Sequence, residues 1–290
     1  MHIQLSPLRS LNLDATLCCG QAFRWVKRGD WWYGVVGDRV LKVRQIARRL
    51  ESENADLAFV EDYFGLTDDL QRILSSITKD KHIGQAVEAF RGLRILHQEP
   101  WECLISYICA TYKNVPAIMQ TIQRLSKSFG SLLTLDGQQF FAFPTPESLA
   151  NSTVRGLEEC GLGYRARYVS ETARRIHETG LDLGRLRRVD REEARRELLN
   201  LPGVGPKVAD CVLLFSLGKL EAFPVDVRIR RALLRHYSEH LAKELVKRVS
   251  DGRSLSSSEY EKLSRFGREY FGEYAGYAQE YLYHYERIRG

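Results

Sequence analysis

A lysine that attacks carbon must do so as a free amine, while an unperturbed lysine titrates near about 10.4. Lys207 stands in Leu201-Pro-Gly-Val-Gly-Pro-Lys-Val-Ala-Asp210, in the first turn of a helix expected from Pro206. Burial and a helix N-terminus both lower an amine's pKa, and Lys207 is placed to have both. A carboxylate follows: Phe223-Pro224-Val225 leads into Asp226, a good N-cap for a helix over 227–237. Such an amine can displace a leaving group from a sugar C1′ and form a Schiff base. The carboxylate would stabilise the oxocarbenium character that develops as an N-glycosidic bond breaks. A helix over 191–200 and a tight turn at Pro202–Gly205 precede Lys207, giving a helix–hairpin–helix. Gly203 and Gly205 allow positive φ and close backbone approach, so free amides there can hold a phosphate oxygen. A sugar attached to that phosphate would belong to DNA. The same residues also permit a plainer reading, with Lys207 a solvated helix residue and Asp226 only a cap. Residue chemistry alone leaves both open.

Length and composition bound the choices loosely. The 290 residues can form one large or two modest domains, and 44% apolar with 28% charged content is ordinary for a soluble globular chain. A net charge of +6 suits a polyanionic partner without requiring one. Cys18, Cys19, Cys103, Cys109, Cys160 and Cys211 match no zinc or cluster spacing, so most are expected as reduced, small core residues. No apolar run approaches membrane-spanning length and no signal peptide is evident, which predicts an intracellular protein, in cytoplasm and nucleoid or in a nucleus.

The elements that must position the lysine divide the chain. Residues 1 to about 48 read as strands, with β-prone runs at Gln21–Trp25, Trp31–Val36 and Arg39–Arg44 whose aromatics suit a sheet core. From Asp56 the pattern turns helical. Helices are predicted near 56–64, 67–78, 81–91, 100–111, 115–129, 146–150, 152–159, 164–179, 191–200, 206–217, 227–237, 240–250, 256–270 and 273–288. Ser254–Ser258 suggests a loose loop. The fold class is therefore α+β, mostly α. A small antiparallel sheet domain with flanking helices (1–95) precedes an α-helical region (96–290), whose terminal helix packs back on it.

Three further stretches bear residues able to meet nucleic acid. Gly161–Tyr168 combines flexible backbone with Tyr164, Arg165, Arg167 and Tyr168, a surface for phosphate contact and base stacking. Tyr112, Lys113 and Asn114 fall at an exposed corner between two helices. Gln279 and Tyr283, four apart, share a helical face. Each also has a structural reading: a loop entering an amphipathic helix, a plain helix–helix turn, and a tyrosine-rich terminal helix docking on the core.

Leu201–Asp210 together with Pro224-Val-Asp-Val resembles the helix–hairpin–helix, glycine/proline-rich loop and aspartate signature of the base-excision DNA glycosylases, the HhH-GPD superfamily. Within it the chain resembles the 8-oxoguanine DNA glycosylase/AP lyase branch over nearly its whole length, including Cys19-Gly-Gln-Ala-Phe-Arg-Trp25, Gln98–Cys103 and Gly161–Val169. The resemblance implies a metal-independent, cofactor-free, monomeric enzyme that excises 8-oxoguanine from double-stranded DNA and nicks the abasic strand. It makes Lys207 the Schiff-base nucleophile and Asp226 the essential carboxylate. Gly20 becomes the carbonyl that accepts the N7–H which oxidised guanine has and guanine lacks; an acceptor left facing guanine's lone pair penalises the normal base. Cys211 and Tyr283 sandwich the flipped base, Gln279 reads its Watson–Crick edge, Tyr164 wedges the vacated stack, and Arg165 faces the orphaned cytosine. Arg228, where some relatives have histidine, contacts a phosphate.

Departures from the pattern matter. Members that demand cytosine opposite the lesion carry asparagine at the position of Tyr112 and arginine at that of Ala117, which predicts relaxed opposite-base specificity here. Two other readings exist. Endonuclease III and adenine-removing relatives carry a C-terminal four-cysteine cluster, whereas this chain has no cysteine after Cys211. Alkylbase glycosylases usually lack the lysine. A non-catalytic DNA-binding module would not need Lys207 paired with Asp226.

Overall fold

Local chemistry sets most element starts. The computed structural model describes residues 1–6 and 9–289. A five-stranded antiparallel sheet forms near the N-terminus from β1 (His2–Gln4), β2 (Trp25–Arg28), β3 (Trp31–Val36), β4 (Arg39–Ile46) and β5 (Arg49–Glu53), in the order β1-β5-β4-β3-β2. Helix α1 (Leu13–Cys18), capped by Asn12, and α2 (Leu57–Tyr63), capped by Asp56, pack against it. Their Leu13, Leu17, Val60 and Tyr63 close a core over Trp25, Trp32, Leu41, Val43 and Leu50. Each such aliphatic side chain contributes roughly 1.5–3 kcal/mol when fully buried. Trp25 Nε1 donates to the Tyr63 hydroxyl at 3.0 Å, so the core's largest ring leaves no polar atom unpaired.

The helical body follows. It comprises α3 (Leu70–Ile77), α4 (Lys81–Ala89), α5 (Pro100–Ala110), α6 (Val115–Phe129), α7 (Pro146–Ala150), α8 (Val154–Glu159), α9 (Arg165–Thr179), α10 (Arg191–Leu199), α11 (Pro206–Phe215), α12 (Val227–His236), α13 (Lys243–Val249), α14 (Ser257–Phe271) and α15 (Ala275–Arg289). Strands β6 (Leu132–Leu135) and β7 (Gln138–Phe141) form a hairpin inside this series. Asx and Ser/Thr caps recur: Asp80 accepts from His82 and Ile83, and Asp190 from Glu193. Ser256 and Glu259 close a capping box at the head of α14. Helix α11 runs through the middle of the main core, buried from Val208 to Phe215. The one charged residue in that buried run, Asp210, is fully buried and compensated by Arg195 Nε at 2.8 Å and by the Tyr260 hydroxyl at 2.8 Å. Burial still pushes the Asp210 carboxyl above its ordinary value against the pull of Arg195.

The α+β, mostly helical architecture is the one expected, with differences in detail. The N-terminal stretch read as strands contains α1, and Gln21–Arg24 is a loop leading into β2 rather than a strand. Gln21 cannot join a ladder because its side chain and carbonyl are spent inside the core. β1, β5 and the β6–β7 hairpin were not anticipated. The β4–β5 turn holds Ala47 at φ +50°, with no glycine or asparagine to announce it. Ser254–Ser258 is a loop only in its first half, since Ser256 caps α14.

Candidate active site

Helix α10, the turn 201–205 and α11 form the helix–hairpin–helix. Gly203 is held at φ +76°, and a Cβ there would lie 2.6 Å from Tyr168 Cβ, so the turn presses its backbone onto α9. Thr172 Oγ1 donates to Pro202 O at 2.7 Å and Arg175 to Asn200 O at 2.8 Å, fixing the hairpin from the same helix. Gly205 differs from expectation: at φ −91° it is extended, not left-handed. It caps α11 without any side chain, stands exposed, and has nothing within 4 Å of where a Cβ would be. The first amides of α11 are therefore uncapped by a side chain and approachable, which is what an anion needs.

Lys207 leaves the first turn of α11 half-buried rather than sealed, with Nζ 5.6 Å from the Tyr107 ring centroid. Tyr107 is itself fixed, stacked on Phe215 and donating to Gln21 O at 3.1 Å. Asp226 caps α12, accepting from Ile229 N at 2.8 Å. Burial raises its carboxyl above the ordinary value, against the pull of Ile229 N–H and of the Lys207 charge. The same Tyr260 hydroxyl that donates to Asp210 accepts from Val225 N at 3.3 Å. A buried chain thus runs from Arg195 on α10 through Asp210 and Tyr260 to the residue before Asp226. The segment bearing the carboxylate is locked to the helices bearing the hairpin.

One turn along α11 from Lys207 lies Cys211, buried, its thiol pushed up to about 12 by burial although Lys207 pulls it down. At neutral pH it is a neutral packing surface, not a rival nucleophile. From the other side α15 brings Gln279, Glu280 and Tyr283. Tyr283 faces Gly20: a Cβ on Gly20 would lie 3.4 Å from the Tyr283 ring and 3.1 Å from Arg287 Nη1. Gly20 adopts φ +106°, so two constraints exclude a side chain. The Gly20 carbonyl is positioned by its neighbour Gln21, buried to 1%. Gln21 Nε2 donates to Thr16 O and Arg94 O, its Oε1 accepts from Leu96 N, and its carbonyl accepts from Gln98 and Tyr107. Gln279 is 4% exposed and its Oε1 finds no partner among the described residues, an acceptor aimed at nothing in the chain.

Lys207, Asp226, Cys211, Tyr283 and Gly20 are therefore neighbours, brought from α11, α12, α15 and the loop after α1, and Gln279 lies one turn before Tyr283 on α15. Sequence reasoning missed Gln21, Tyr107 and Glu280. Gln21 lies within the Cys19–Trp25 motif, yet a glutamine between Gly20 and Phe23 gives no hint of a buried network. Glu280 is buried, its carboxyl pushed up to about 7 by burial while the Cys19 thiol and Arg287 pull it down. Its position on a tyrosine-rich helix offered no sign of that.

The residues expected on the DNA face behave unequally. Tyr112 follows α5 at φ +56° and is 82% exposed. A bulky non-glycine residue there costs on the order of 1–3 kcal/mol, and such strain concentrates at functional corners. Tyr164 is 55% exposed and Arg228 partly exposed at the first turn of α12. Three residues depart from the expectation. Lys113 Nζ donates to Thr121 Oγ1 at 2.7 Å and Gly161 O at 2.6 Å, tying the Tyr112 corner to the Gly161–Tyr164 loop. The Asn114 side chain caps α6, accepting from Ala117 N. Arg165 is buried, its guanidinium under the Tyr164 ring and bonded to Thr111 O and Leu162 O rather than presented outward. The arrangement gives the Thr111 carbonyl, at the C-terminal end of α5, a charged donor.

The family model for the N-terminal domain of 8-oxoguanine DNA glycosylase matches residues 4–104, and that for HhH-GPD superfamily base excision DNA repair proteins matches 105–251. The N-glycosylase/DNA lyase of Arabidopsis thaliana is 31% identical, covering 94% of this chain and 76% of its own. That of Saccharomyces cerevisiae is 31% identical over 94% and 82%. The solved structure of the Clostridium acetobutylicum 8-oxoguanine glycosylase/lyase, in complex with double-stranded DNA containing cytosine opposite 8-oxoguanine, superposes with a TM-score of 0.86. It is 33% identical and the match covers 96% of this chain and 92% of that one. The chain belongs to the HhH-GPD superfamily of base excision DNA repair proteins, in its 8-oxoguanine DNA glycosylase/lyase branch.

Proposed function

We propose that this chain, acting as a monomer on duplex DNA, excises 8-oxoguanine through Lys207 and then nicks the abasic strand. The observation that carries the reading is the proximity of a half-buried lysine to a helix-capping carboxylate and to Cys211, with Tyr283 close to that carboxylate and to Gly20. In the first step Lys207 Nζ forms a bond to C1′ as the C1′–N9 bond breaks, and the base leaves with the electron pair. Asp226 faces the positive charge that builds on the sugar. The adduct is an N,O-acetal: the C1′–O4′ bond breaks, O4′ takes the proton that the nitrogen sheds, and an imine forms. Loss of a C2′ proton then expels the 3′ phosphate, a β-elimination with the imine nitrogen as electron sink. Gln279 and the Gly20 carbonyl read the two edges of the flipped base, and the hairpin amides with Arg228 hold flanking phosphate. Residues 96–290 form the catalytic region and 1–95 supply the wall bearing Gly20. No helix among the described residues is long and apolar enough to cross a membrane.

Borohydride reduction on a duplex containing one 8-oxoguanine tests the reading. A covalent adduct on that duplex and none on an undamaged one is the expected result; equal trapping on both would remove the substrate assignment.

The opposite base should be read weakly. A good bidentate base contact is worth roughly 1–3 kcal/mol of discrimination. Ala117 offers none, and the Arg165 guanidinium is engaged by Thr111 O and Leu162 O. Single-turnover excision opposite C, A, G and T is therefore expected to fall within about tenfold. A preference for cytosine of 100-fold or more would overturn this.

A further inference from the structure

On the face of the molecule where α4, α12 and α15 meet, three side chains turn their donor atoms toward one another: His82, His236 and Glu286. Their ligand atoms all lie within 4.8 Å of each other. Each histidine Nε2 is 3.6 Å from the same carboxylate oxygen, Glu286 Oε1. That is too long for a hydrogen bond. It is close to the separation of about 3.4 Å expected between two ligands of one tetrahedral ion with bonds near 2.0–2.1 Å.

The surroundings favour an ion over an ion pair. The two imidazole rings are stacked, centroids 3.5 Å apart and planes at 18°, an arrangement that two imidazolium cations would resist; because each lone pair lies in its ring plane, an ion bound to both turns one ring out of the stack. His82 Nε2 is buried without a hydrogen-bond partner among the described residues. Arg235 engages the other carboxylate oxygen, Glu286 Oε2, at 3.2 Å, which leaves Oε1 facing the imidazoles. This is the outer support that a ligating carboxylate normally has. Tyr285 packs edge-on against His82 at 5.8 Å and closes the inner side, while His236 leaves the outer side open to water.

We propose that His82, His236 and Glu286 form a binding site for a late first-row divalent cation, Zn²⁺ by donor set, with water as the remaining ligand. Two imidazoles and a carboxylate suit zinc better than magnesium or calcium. The site's role is positional. His236 is ten residues along from Asp226, about 15 Å by helical rise, so the ion does not reach the reacting sugar. It ties the last turns of α15, the helix carrying Gln279 and Tyr283, to α4 and to the far end of α12. Its ligands come from three helices remote in sequence, so no motif spacing betrays them.

The test uses the full chain stripped with chelator and titrated with Zn²⁺, followed by calorimetry, and with Co²⁺, followed by visible absorption. One ion per chain, d–d bands without a thiolate charge-transfer band, and a melting temperature that rises with Zn²⁺ are expected. His236→Asn and Glu286→Gln should each weaken binding by at least 10–100-fold, the loss seen when even outer-shell partners are removed. His82→Ala removes packing against Tyr285 as well, so the two milder variants carry the comparison. Their melting in chelator should match the parent. Absence of saturable binding, a thiolate band that assigns the ion to cysteine, or undiminished affinity in the His236→Asn/Glu286→Gln double variant would each overturn the proposal.

Discussion

Lys207→Gln should lose borohydride trapping completely and lower single-turnover base excision by at least about 10⁴-fold, the scale on which removing a covalent nucleophile acts. Glutamine keeps the length and polarity of the side chain and sits as readily in a helix, so the hairpin and its amides stay intact. Affinity for a duplex with 8-oxoguanine should therefore change by less than about tenfold. The two measurements separate chemistry from binding. Cys211 cannot take over, because its thiol is pushed up to about 12 and stays neutral. Base release that persisted without an adduct would point instead to water as the nucleophile, with Asp226 as its base. The lysine mechanism would then fail even though the substrate stood.

Asp226→Asn should reduce excision by about 10²–10³-fold, the cost of removing one preorganised electrostatic group. Asparagine caps a helix about as well as aspartate, so the acceptor for Ile229 N–H survives and α12 should not fray. Stability should move the other way. The folded carboxyl is raised by burial, so the native state prefers it protonated. The favourable contribution is complete below the unfolded pKa and is lost as pH rises through the folded one. The variant should match the parent in acid and exceed it at neutral pH, as followed by denaturant midpoints. Excision by the parent should decline on the acid side at a pH above the usual carboxylate range, a limb absent from the variant. A variant less stable at neutral pH, or fully active, would contradict this account.

The helical body was legible because its caps and periodicities are strong and local. Pro206 and Asp226 announce α11 and α12, but residue chemistry alone leaves the pairing of the lysine and carboxylate they carry open, and only the family resemblance favours it. The sheet was half legible. β3 and β4 are bracketed by Gly29-Asp30 and Gly37-Asp38, but the β4–β5 turn uses Ala47 in a left-handed conformation that few sequence rules anticipate. The β6–β7 hairpin is a different failure. Asp136 and Gly137 both have positive φ, the signature of a tight hairpin turn, and the Asp-Gly pair was there to be read. Its strands, four residues each, carry no clean alternation of apolar and polar residues to mark them. Within the site, residue type misled where a polar group serves the fold. Lys113, Asn114 and Arg165 look like hands extended to DNA, yet each spends its donors or acceptors on nearby backbone or a hydroxyl. Burial is a tertiary property, and no window of sequence contains it.

Gly20 and Tyr283 meet across almost the whole length of the chain, with Lys207 between them in order of synthesis. A polypeptide emerging from the ribosome acquires its nucleophile well before it acquires the wall that chooses what the nucleophile attacks. Gly20 is made first, yet until α15 docks no Tyr283 ring lies across from it. On the proposed reading, the acceptor that tells an oxidised base from a normal one gains its opposing wall only when the last helix is in place.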